Sequence, residues 1–461
     1  MVENTVVETY YSDRALPLLP NEVTLIIFSY FTQQARLKLC RVSKAFRTLA
    51  YKPLLWREAM IYNSKGLEFD STLKRLESVQ ALDARATQIS DEFAKKLLVS
   101  SARHTLKVLD LSVTDITNIS LKSIGFNCTS LEKLFLEGCK EISDITSLAN
   151  LSSTCNLTTL VLSHCESIDD ETIDSFISEI FYNTNSNPIL ETLIKLNIDG
   201  CYKITDYGIN LIATTLIKLK YLVFDGQEIN NCSVISILHN CEELELLAIS
   251  FCDFLSDMVL EGIIANLQPK FRYLKLRKGT FSEEGFCNFF KALTSRGHSF
   301  YSLDFSECVN ITDSNLFYFH QPQLNWLNLD WCWGIKDLSL TYLIVSCPNI
   351  QEIMMTGCIY ITCESLLSTN NSYDLSSLVI LNFLSCKMME PEIIIKLGKL
   401  YPKLYIIDYY GEVYKQGKKI GFKDEVYVED EIYELKIGGR EKRWGKLNVG
   451  DSNRFYRFYS V

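Results

Sequence analysis

Apolar and polar positions follow one recurring pattern along most of this chain. Each copy spans nine residues. Positions 1, 4 and 6 are apolar and position 9 is often cysteine, as in Leu131–Cys139. Other copies ending in cysteine begin at Leu157, Leu193, Leu244, Phe300, Leu324, Ile350 and Leu378, and degenerate copies end at Thr114, Gln227, Gly279 and Glu412. Twelve copies at steps of 24 to 29 residues, with one step of 36, predict a stack of similar units.

Each copy predicts one strand, one turn and one helix. Alternating apolar positions are typical of a strand whose leucines point inward, and Thr205 beside Asp206 is typical of a helix start. A single unit cannot bury its apolar face, so neighbouring units must stack. Because helices are wider than strands, the stack curves. We therefore predict an α/β fold, a right-handed curved solenoid with parallel strands on its concave face.

The repeated cysteines are predicted to be structural. A buried position after each strand suits a small, weakly polar side chain. Equivalent cysteines of neighbouring units would run parallel to each other, and the sequence contains no pair of cysteines with metal spacing and only five histidines. Zinc binding and disulfide formation are the alternatives.

A pattern with the period of a helix precedes the repeats, between residues 16 and 62. Apolar positions 23, 26, 27 and 30 or 31 predict one helix face, and positions 39, 42, 46 and 49 predict another. Pro20 precedes the first helix, where its missing N–H does no harm. Some forty residues are few for an independent core, so we expect this all-α module to dock onto another surface.

Composition and charge narrow the possible function classes. The 461 residues are 47% hydrophobic and 22% charged, which is typical of a folded chain. A net charge of −10 argues against a general nucleic-acid binder. The N-terminus lacks the pattern of a signal peptide, and no run of about 18 apolar residues indicates a membrane span. We expect a cytoplasmic or nuclear protein with free thiols, no nucleic-acid partner and no membrane contact.

Both patterns resemble known families. The repeat resembles the cysteine-containing class of leucine-rich repeats over about residues 104–412, a class found chiefly in F-box proteins. Residues 16–62 resemble an F-box. The matching positions are Leu19, Pro20, Glu22, Ile27, Phe28, Val42, Phe46, Leu49, Leu55 and Trp56. Many F-boxes carry Trp where this chain has Phe46, which keeps a large aromatic ring.

The F-box resemblance implies binding to the Skp-type adaptor of a cullin-RING ubiquitin ligase. The residues expected to contact the adaptor, or to orient the helices that do, are Leu19, Pro20, Ile26, Ile27, Phe31 and Trp56. The alternative for any one of them is a place in the core of the module. A helix face of aliphatic residues with aromatic anchors is also typical of interface hot spots.

A protein partner of the solenoid is expected on the outward positions of the strands. In the last copy the register predicts that Ile406, Asp408 and Tyr410 point outward. The residues predicted to bind a substrate are Tyr273, Lys275, Arg277, Lys278, Trp326, Asp330 and Trp331, with Trp333 beside them. Exposed Trp, Tyr and Arg together are typical of protein-binding sites. The alternative is that the rings pack on neighbouring strands.

Five segments are predicted: a flexible N-terminus (1–15), the F-box (16–62), a linker with a poorly formed capping repeat (63–103), the solenoid (104–412) and a C-terminal region (413–461). Alternation from Glu425 to Ile437 predicts short strands in that last region. We expect it to cap the open end of the solenoid. A tail that folds back onto the concave face is the alternative.

Motifs of catalysis are missing from the sequence: it has no phosphate loop, nucleophile elbow or zinc-protease signature. The resemblances imply a non-catalytic substrate receptor of a Skp-cullin-F-box ubiquitin ligase, which needs no cofactor and acts through proximity. A ligase-independent scaffold is the second possibility. A third is a receptor gated by a small molecule, in which Lys275, Arg277 and Lys278 would hold an anion.

Overall fold

The computed structural model describes residues 19–61, 76–99, 104–153, 157–183, 188–367 and 375–423, together with four short strands between 427 and 448. The predicted flexible segment 1–15 lies outside the described residues, as do 16–18 and 62 of the predicted F-box and 63–75 and 100–103 of the predicted linker. Within the described ranges, no helix combines the length and apolar character that crossing a membrane requires.

Three short helices and a 3-10 turn form the N-terminal module. They are α1 (Asn21–Ser29), α2 (Gln33–Leu39), α3 (Lys44–Ala50) and the turn Pro53–Trp56. Thr32 and Ser43 stand at the N-caps of α2 and α3, where each side chain accepts a hydrogen bond from a backbone N–H of the first turn. Phe28 of α1 packs edge-to-face on Phe46 of α3, with ring centroids 5.3 Å apart, so Phe46 fills the place that many F-boxes give to Trp.

Sixteen strands form one sheet in chain order. They are β1 (Glu58–Met60), β2 (Ala81–Asp83), β3 (Val108–Asp110), β4 (Lys133–Phe135), β5 (Thr159–Val161), β6 (Lys195–Ile198), β7 (Tyr221–Asp225), β8 (Leu246–Ser250), β9 (Tyr273–Leu276), β10 (Ser302–Asp304), β11 (Trp326–Asn328), β12 (Glu352–Met354), β13 (Ile380–Asn382), β14 (Tyr405–Ile407), β15 (Glu412–Lys415) and β16 (Lys418–Phe422). Strands β1 to β14 pair in parallel, whereas β14, β15 and β16 pair antiparallel. The α/β solenoid is confirmed, with β3 to β14 at the twelve predicted strand positions.

Helices connect most of these strands. They are α4 (Asp91–Val99), α5 (Asn118–Asn127), α6 (Asp170–Asn183), α7 (Pro188–Thr192), α8 (Asp206–Thr215), α9 (Asn231–Asn240), α10 (Asp257–Ala265), α11 (Glu283–Ser295), α12 (Asp313–Leu316), α13 (Asp337–Ser346) and α14 (Pro391–Leu400), with 3-10 segments at Leu76–Ser78, Thr146–Ser153 and Glu364–Leu367. The inward apolar positions of the strands, such as Leu134 and Leu136, meet the buried faces of these helices in one continuous core.

The sheet begins earlier than the predicted start of the solenoid at residue 104. Strand β1 follows directly on the 3-10 turn that ends at Trp56, and β1 pairs in parallel with β2, which pairs with β3. The N-terminal module is therefore continuous with the sheet through β1.

The repeated cysteines link neighbouring repeats. In seven repeats the buried thiol donates a hydrogen bond to a carbonyl at or just after the end of the preceding repeat's strand, as from Cys332 to Phe305 at 3.2 Å and from Cys386 to Met355 at 2.9 Å. Burial raises the pKa of these thiols, to about 12 at Cys201 and Cys308. The fifteen cysteines that the structure describes are free, and no group of three metal-ligating side chains occurs among the described residues.

An aspartate at the start of several helices also joins one repeat to the next. Asp337 at the start of α13 accepts hydrogen bonds from the N–H and hydroxyl of Thr362, at 2.7 and 2.6 Å, and from the N–H of Cys363 at 2.9 Å. Asp91 and Asp170 hold Thr117 and Thr205 in the same way. At the start of α8, Thr205 caps its own helix, while Asp206 beside it accepts a hydrogen bond from the N–H of Asn230 in the next repeat.

The register of the last parallel strand differs from the prediction by one residue. Tyr405 pairs with Ile380, so Ile406 lies in the main core and Ile407 lies on the concave side. The prediction that Ile406 points outward is therefore wrong. Strand β14 is followed by the antiparallel strand β15 instead of a cysteine turn, and Val413 packs against Ile407 across that pair.

Candidate protein-binding surfaces

An apolar face of α1 lies on the surface of the N-terminal module. It is formed by Leu19 just before the helix and by Val23, Ile26, Ile27 and Tyr30, spaced so that they share one side. Leu19 and Ile26 are 52% and 57% exposed. The opposite side of α1 carries the buried Thr24 and Phe28. The helix thus keeps one continuous apolar side at the surface, which is typical of a helix that docks on a partner.

A groove of about 480 Å³ borders this face, between α1 and the start of the sheet. The residues that line it are Glu22, Leu25, Ile26, Ser29, Arg36, Leu54, Leu55, Arg57, Glu58 and Gln80. Pro20 and Phe31 are exposed at the two ends of α1. Five of the six residues predicted to serve the adaptor therefore lie at the surface.

Trp56, the sixth, lies in the core of the module. It is 3% exposed, its indole N–H donates a hydrogen bond to the carbonyl of Ala50 at 2.8 Å, and the guanidinium of Arg36 lies 5.6 Å from the ring centroid. Of the two roles predicted for Trp56, contact with a partner is excluded by its burial. Its position, between the end of α3 and β1, suits the second role, which is to orient the helices.

Several residues predicted to bind a substrate meet in one polar pocket at the carboxyl ends of the strands. The pocket measures about 150 Å³. Its walls are formed by Lys275, Arg277, Asp304, Ser306, Glu307, Asn328, Asp330, Trp331, Thr356, Asn382, Leu384 and Lys423. This volume is below the 300 to 1,000 Å³ that drug-sized ligands typically occupy. The pocket therefore gives little support to a receptor gated by a small molecule.

Two basic residues of the predicted patch, Arg277 and Lys278, are paired with acids of neighbouring repeats. Arg277 forms an ion pair with Glu307 at 2.5 Å, and Lys278 forms one with Asp253 at 3.1 Å. Both cations also lie within 5.6 Å of the ring centroid of Phe251. These pairs compensate the charges of Arg277 and Lys278, and sequence reasoning missed them because the partners come from other repeats.

Asp330 is buried in the wall of the pocket. Burial raises the pKa of its carboxyl to about 7, against the opposing effect of a hydrogen bond from the N–H of Thr356 at 2.6 Å. The nearby Asp304 raises this pKa further, and the charge of Lys423 lowers it. Asp330 is thus placed to change its charge near neutral pH.

Trp331 lies at the rim of the pocket with 42% of its surface exposed. Its backbone has a φ of +61°, a left-handed conformation that is costly for a bulky residue. Its ring lies across Gly357 of the next repeat, where a Cβ atom would collide with the indole. The absence of a side chain at Gly357 therefore lets the indole lie flat along the rim.

The expectation that Trp326 is an exposed anchor is wrong. Trp326 is 1% exposed and belongs to a second apolar cluster, separate from the main core. We call its outward-facing members the apolar strip: Val223, Leu246, Ala248, Trp326, Met354 and Ile380. Half-buried Tyr273 packs against the strip, and Lys275 is buried beside it. Sequence reasoning identified these positions as outward-facing but could not see that they are covered.

Comparisons with known proteins support both resemblances. Residues 16–61 match the F-box-like family, and residues 104–150 match a family of leucine-rich repeats in two copies. The chain is 24% identical over 250 residues to F-box/LRR-repeat protein 4 of Bos taurus, in an alignment that covers 52% of this chain and 34% of that protein. The chain thus spans about a third of the length of this relative.

Two solved structures show weak overall likeness. One is the complex of Rad7 and Elc1 in yeast, with a TM-score of 0.47 and 17% identity over 78% of this chain and 92% of the other. The second is the TLR13–ssRNA13 complex, with a TM-score of 0.39 and 15% identity over 67% of this chain and 46% of the other. The fold described above rests on the strands of this chain alone.

Proposed function

Because this chain is an F-box protein with leucine-rich repeats, we propose that it is the substrate receptor of a Skp-cullin-F-box ubiquitin ligase. In this role the N-terminal module binds the Skp-type adaptor, the solenoid binds a target protein, and the target is ubiquitinated and then degraded. The chain itself is non-catalytic and holds the lysines of the target near a ubiquitin-charged enzyme.

The observation that carries the proposal is the exposed apolar face of α1. Val23, Ile26, Ile27 and Tyr30 recur at the spacing of one helix side and remain at the surface, whereas Phe28, Leu49 and Trp56 pack in the core of the module. An exposed apolar helix face stabilises binding to a partner by removing this area from water. Leu19, Pro20 and Phe31 extend the face at its ends.

The route from the module to the solenoid also supports the proposal. Trp56 anchors the end of the module, and β1 begins two residues later as the first strand of the sheet. A receptor must hold its target at a set distance from the adaptor, and a continuous sheet provides such a spacer. For the target, the proposed contacts at the pocket rim are Tyr273, Arg277, Lys278 and Trp331.

The test is a pull-down with purified Skp-type adaptor, comparing the wild-type chain with Ile26→Asp/Ile27→Asp. We expect the double variant to weaken adaptor binding by at least about 100-fold, because two carboxylates would be buried in an apolar contact. Phe126→Asp is the matched control, since Phe126 is an apolar residue 69% exposed on α5 of the solenoid. The control should bind like the wild type.

Equal adaptor binding by the double variant and the wild type would overturn the placement of the contact on α1. No adaptor binding by the wild type would favour the ligase-independent scaffold. Thermal unfolding of each variant checks that the module remains folded; surface substitutions of this kind change stability by about 0.5 kcal/mol or less.

A further inference from the structure

The apolar strip on the concave face is more deeply buried than its own neighbours can explain. Trp326 pairs in register with Ser302 on one side and Glu352 on the other, and neither side chain is large enough to cover an indole. Met354, which pairs in register with Asn328 and Asn382, likewise has no exposed surface. On the helix side, by contrast, Phe126 and Val345 remain largely exposed. A layer lying over the strands is needed to account for this burial.

The described chain already lies at the polar pocket when it reaches Lys423. The N–H of Lys423 donates a hydrogen bond to the carbonyl of Gly411 at 2.9 Å, and Lys423 lines the polar pocket together with Asp330 and Lys275. Residues 424–461, which are 38 in number, follow from this point. The segment therefore starts beside the apolar strip.

Part of this segment is a β-hairpin. Strands β17 (Tyr427–Val428) and β20 (Leu447–Asn448) pair antiparallel, as do β18 (Glu434–Ile437) and β19 (Arg440–Arg443). The sequence between β18 and β19 is Gly-Gly, which is typical of a two-residue hairpin connection. An isolated two-stranded hairpin is marginally stable in water. It gains stability when one face packs on an apolar surface, and the apolar strip offers such a surface.

The length and the charge of residues 424–461 also match the concave face. From residue 427 to the turn the hairpin can reach ~40 Å, while the seven strand spacings from β11 to β4 span ~34 Å. Residues 424–434 carry six acids and no base and begin near Lys275 and Arg277. Residues 435–461 carry seven Lys or Arg against two acids, together with five aromatic residues. Near β4 the concave face carries Asp110, Glu137 and Asp199. Burial raises the pKa of the Glu137 carboxyl, and the charges of Asp110 and Asp199 raise it further.

We infer that residues 424–461 of this chain lie across the concave face and cover the apolar strip, with the basic end of the hairpin towards Glu137 and Asp199. The segment occupies the surface that a target of the solenoid would use. A target must therefore displace it or bind to its outer side. This inference concerns the chain alone and does not rest on the proposed function.

The test uses the full-length chain with the photo-crosslinker p-benzoylphenylalanine at position 273, where an aromatic side chain already packs against the apolar strip. Irradiation followed by mass spectrometry is expected to join position 273 to a peptide from residues 424–461, with a yield independent of protein concentration. The same crosslinker at Tyr207, which is exposed on α8, is the control and should not label that segment.

A charge-reversal variant tests the orientation. Arg440→Glu/Lys442→Glu/Arg443→Glu should lower the crosslink yield by about threefold or more, because the acids of the concave face would repel the hairpin. The matched control reverses three exposed lysines of the helix side, Lys122, Lys396 and Lys399, and should leave the yield unchanged. An unchanged yield in the hairpin variant would overturn the orientation.

Crosslinks that reach only other segments, or a yield that rises with concentration because a second copy supplies the cover, would overturn the inference itself. No crosslink at position 273, in a variant that unfolds at the wild-type temperature, would do the same. Adaptor binding enters none of these outcomes, so a failure here is distinguishable from a failure of the proposed function.

Discussion

At the scale of single residues, burial and pairing decide what the polar side chains of the concave face can do. Asn197, Asp225, Asp304 and Asn328 each accept a hydrogen bond from the N–H two residues later, so their side chains shape the turns after the strands. Asp330 instead accepts from the next repeat and is buried. These polar side chains of the concave face therefore stabilise the turns of the solenoid, in addition to any contact that they make with a partner.

Asp330 should make the stability of the protein depend on pH. Burial raises the pKa of Asp330 in the folded state to about 7, whereas the ordinary pKa of an exposed aspartate carboxyl is 3.8. Its contribution to stability is therefore fully present below about pH 4 and is lost as the pH rises towards 7. Relative to Asp330→Asn, the free energy of unfolding of the wild type should fall over this range. Urea unfolding between pH 4 and 8 measures it.

The control for this experiment is Asp115→Asn, which changes an exposed aspartate after β3. Its stability should run parallel to that of the wild type over the whole range. A parallel curve for Asp330→Asn as well would contradict the raised pKa of Asp330.

At the scale of the element, each repeat is held to the next by polar bonds as well as by its apolar core. The cysteine thiol donates to a carbonyl of the preceding repeat at the strand end, and the aspartate of a helix start accepts from the following repeat. These contacts join residues that are about one repeat apart in sequence. Cys332 and Asp337 lie at the two ends of one strand-to-helix turn, so this turn is bonded to the preceding repeat at one end and to the following repeat at the other.

Removing one of these aspartates should lower the free energy of unfolding by more than the loss of a favourable charge at a helix start would. Asp337→Ala deletes three hydrogen bonds to Thr362 and Cys363, which we expect to cost about 3 kcal/mol of the free energy of unfolding. Glu171→Ala, in the exposed first turn of α6, removes a similar charge at a helix start and should cost about 0.5 kcal/mol. Urea unfolding measures both, and equal losses would show that the bonds to the next repeat contribute nothing.

At the scale of the whole molecule, the N-terminal module and the solenoid share one sheet. The N–H of Ala81 donates to the carbonyl of Arg57 at 2.9 Å, and the N–H of Ile61 donates to the carbonyl of Asp83 at 2.8 Å. Buried Ala59 packs between the module and the first repeats. The exposed face of α1 is thereby held in a set relation to the concave face.

A charge buried in this junction should loosen it locally. In Ala59→Asp the amides of residues 58–61 and 81–84 should exchange with deuterium about tenfold faster or more, because burying a carboxylate costs more than 1.4 kcal/mol. Strands β9 to β12 should exchange as in the wild type. Glu58→Gln, on the same strand but half-exposed, is the control and should change little. Unchanged protection in Ala59→Asp would contradict a junction held by the packing of β1.

The sequence by itself determined the strand positions, the inward leucines, the buried cysteines and the first helix of the N-terminal module, because each depends on a local period of apolar residues. The second predicted helix face, at positions 39, 42, 46 and 49, is wrong because a turn after Leu39 separates α2 from α3. Only the tertiary structure decided which outward residues are accessible. The period of a strand says to which side Trp326 points but not what lies above it, and composition cannot show that Arg277 meets Glu307 thirty residues away. Burial and charge pairing depend on neighbours brought together by stacking, and for that reason Trp56 and Trp326 proved to be buried while Trp331 lies at the surface.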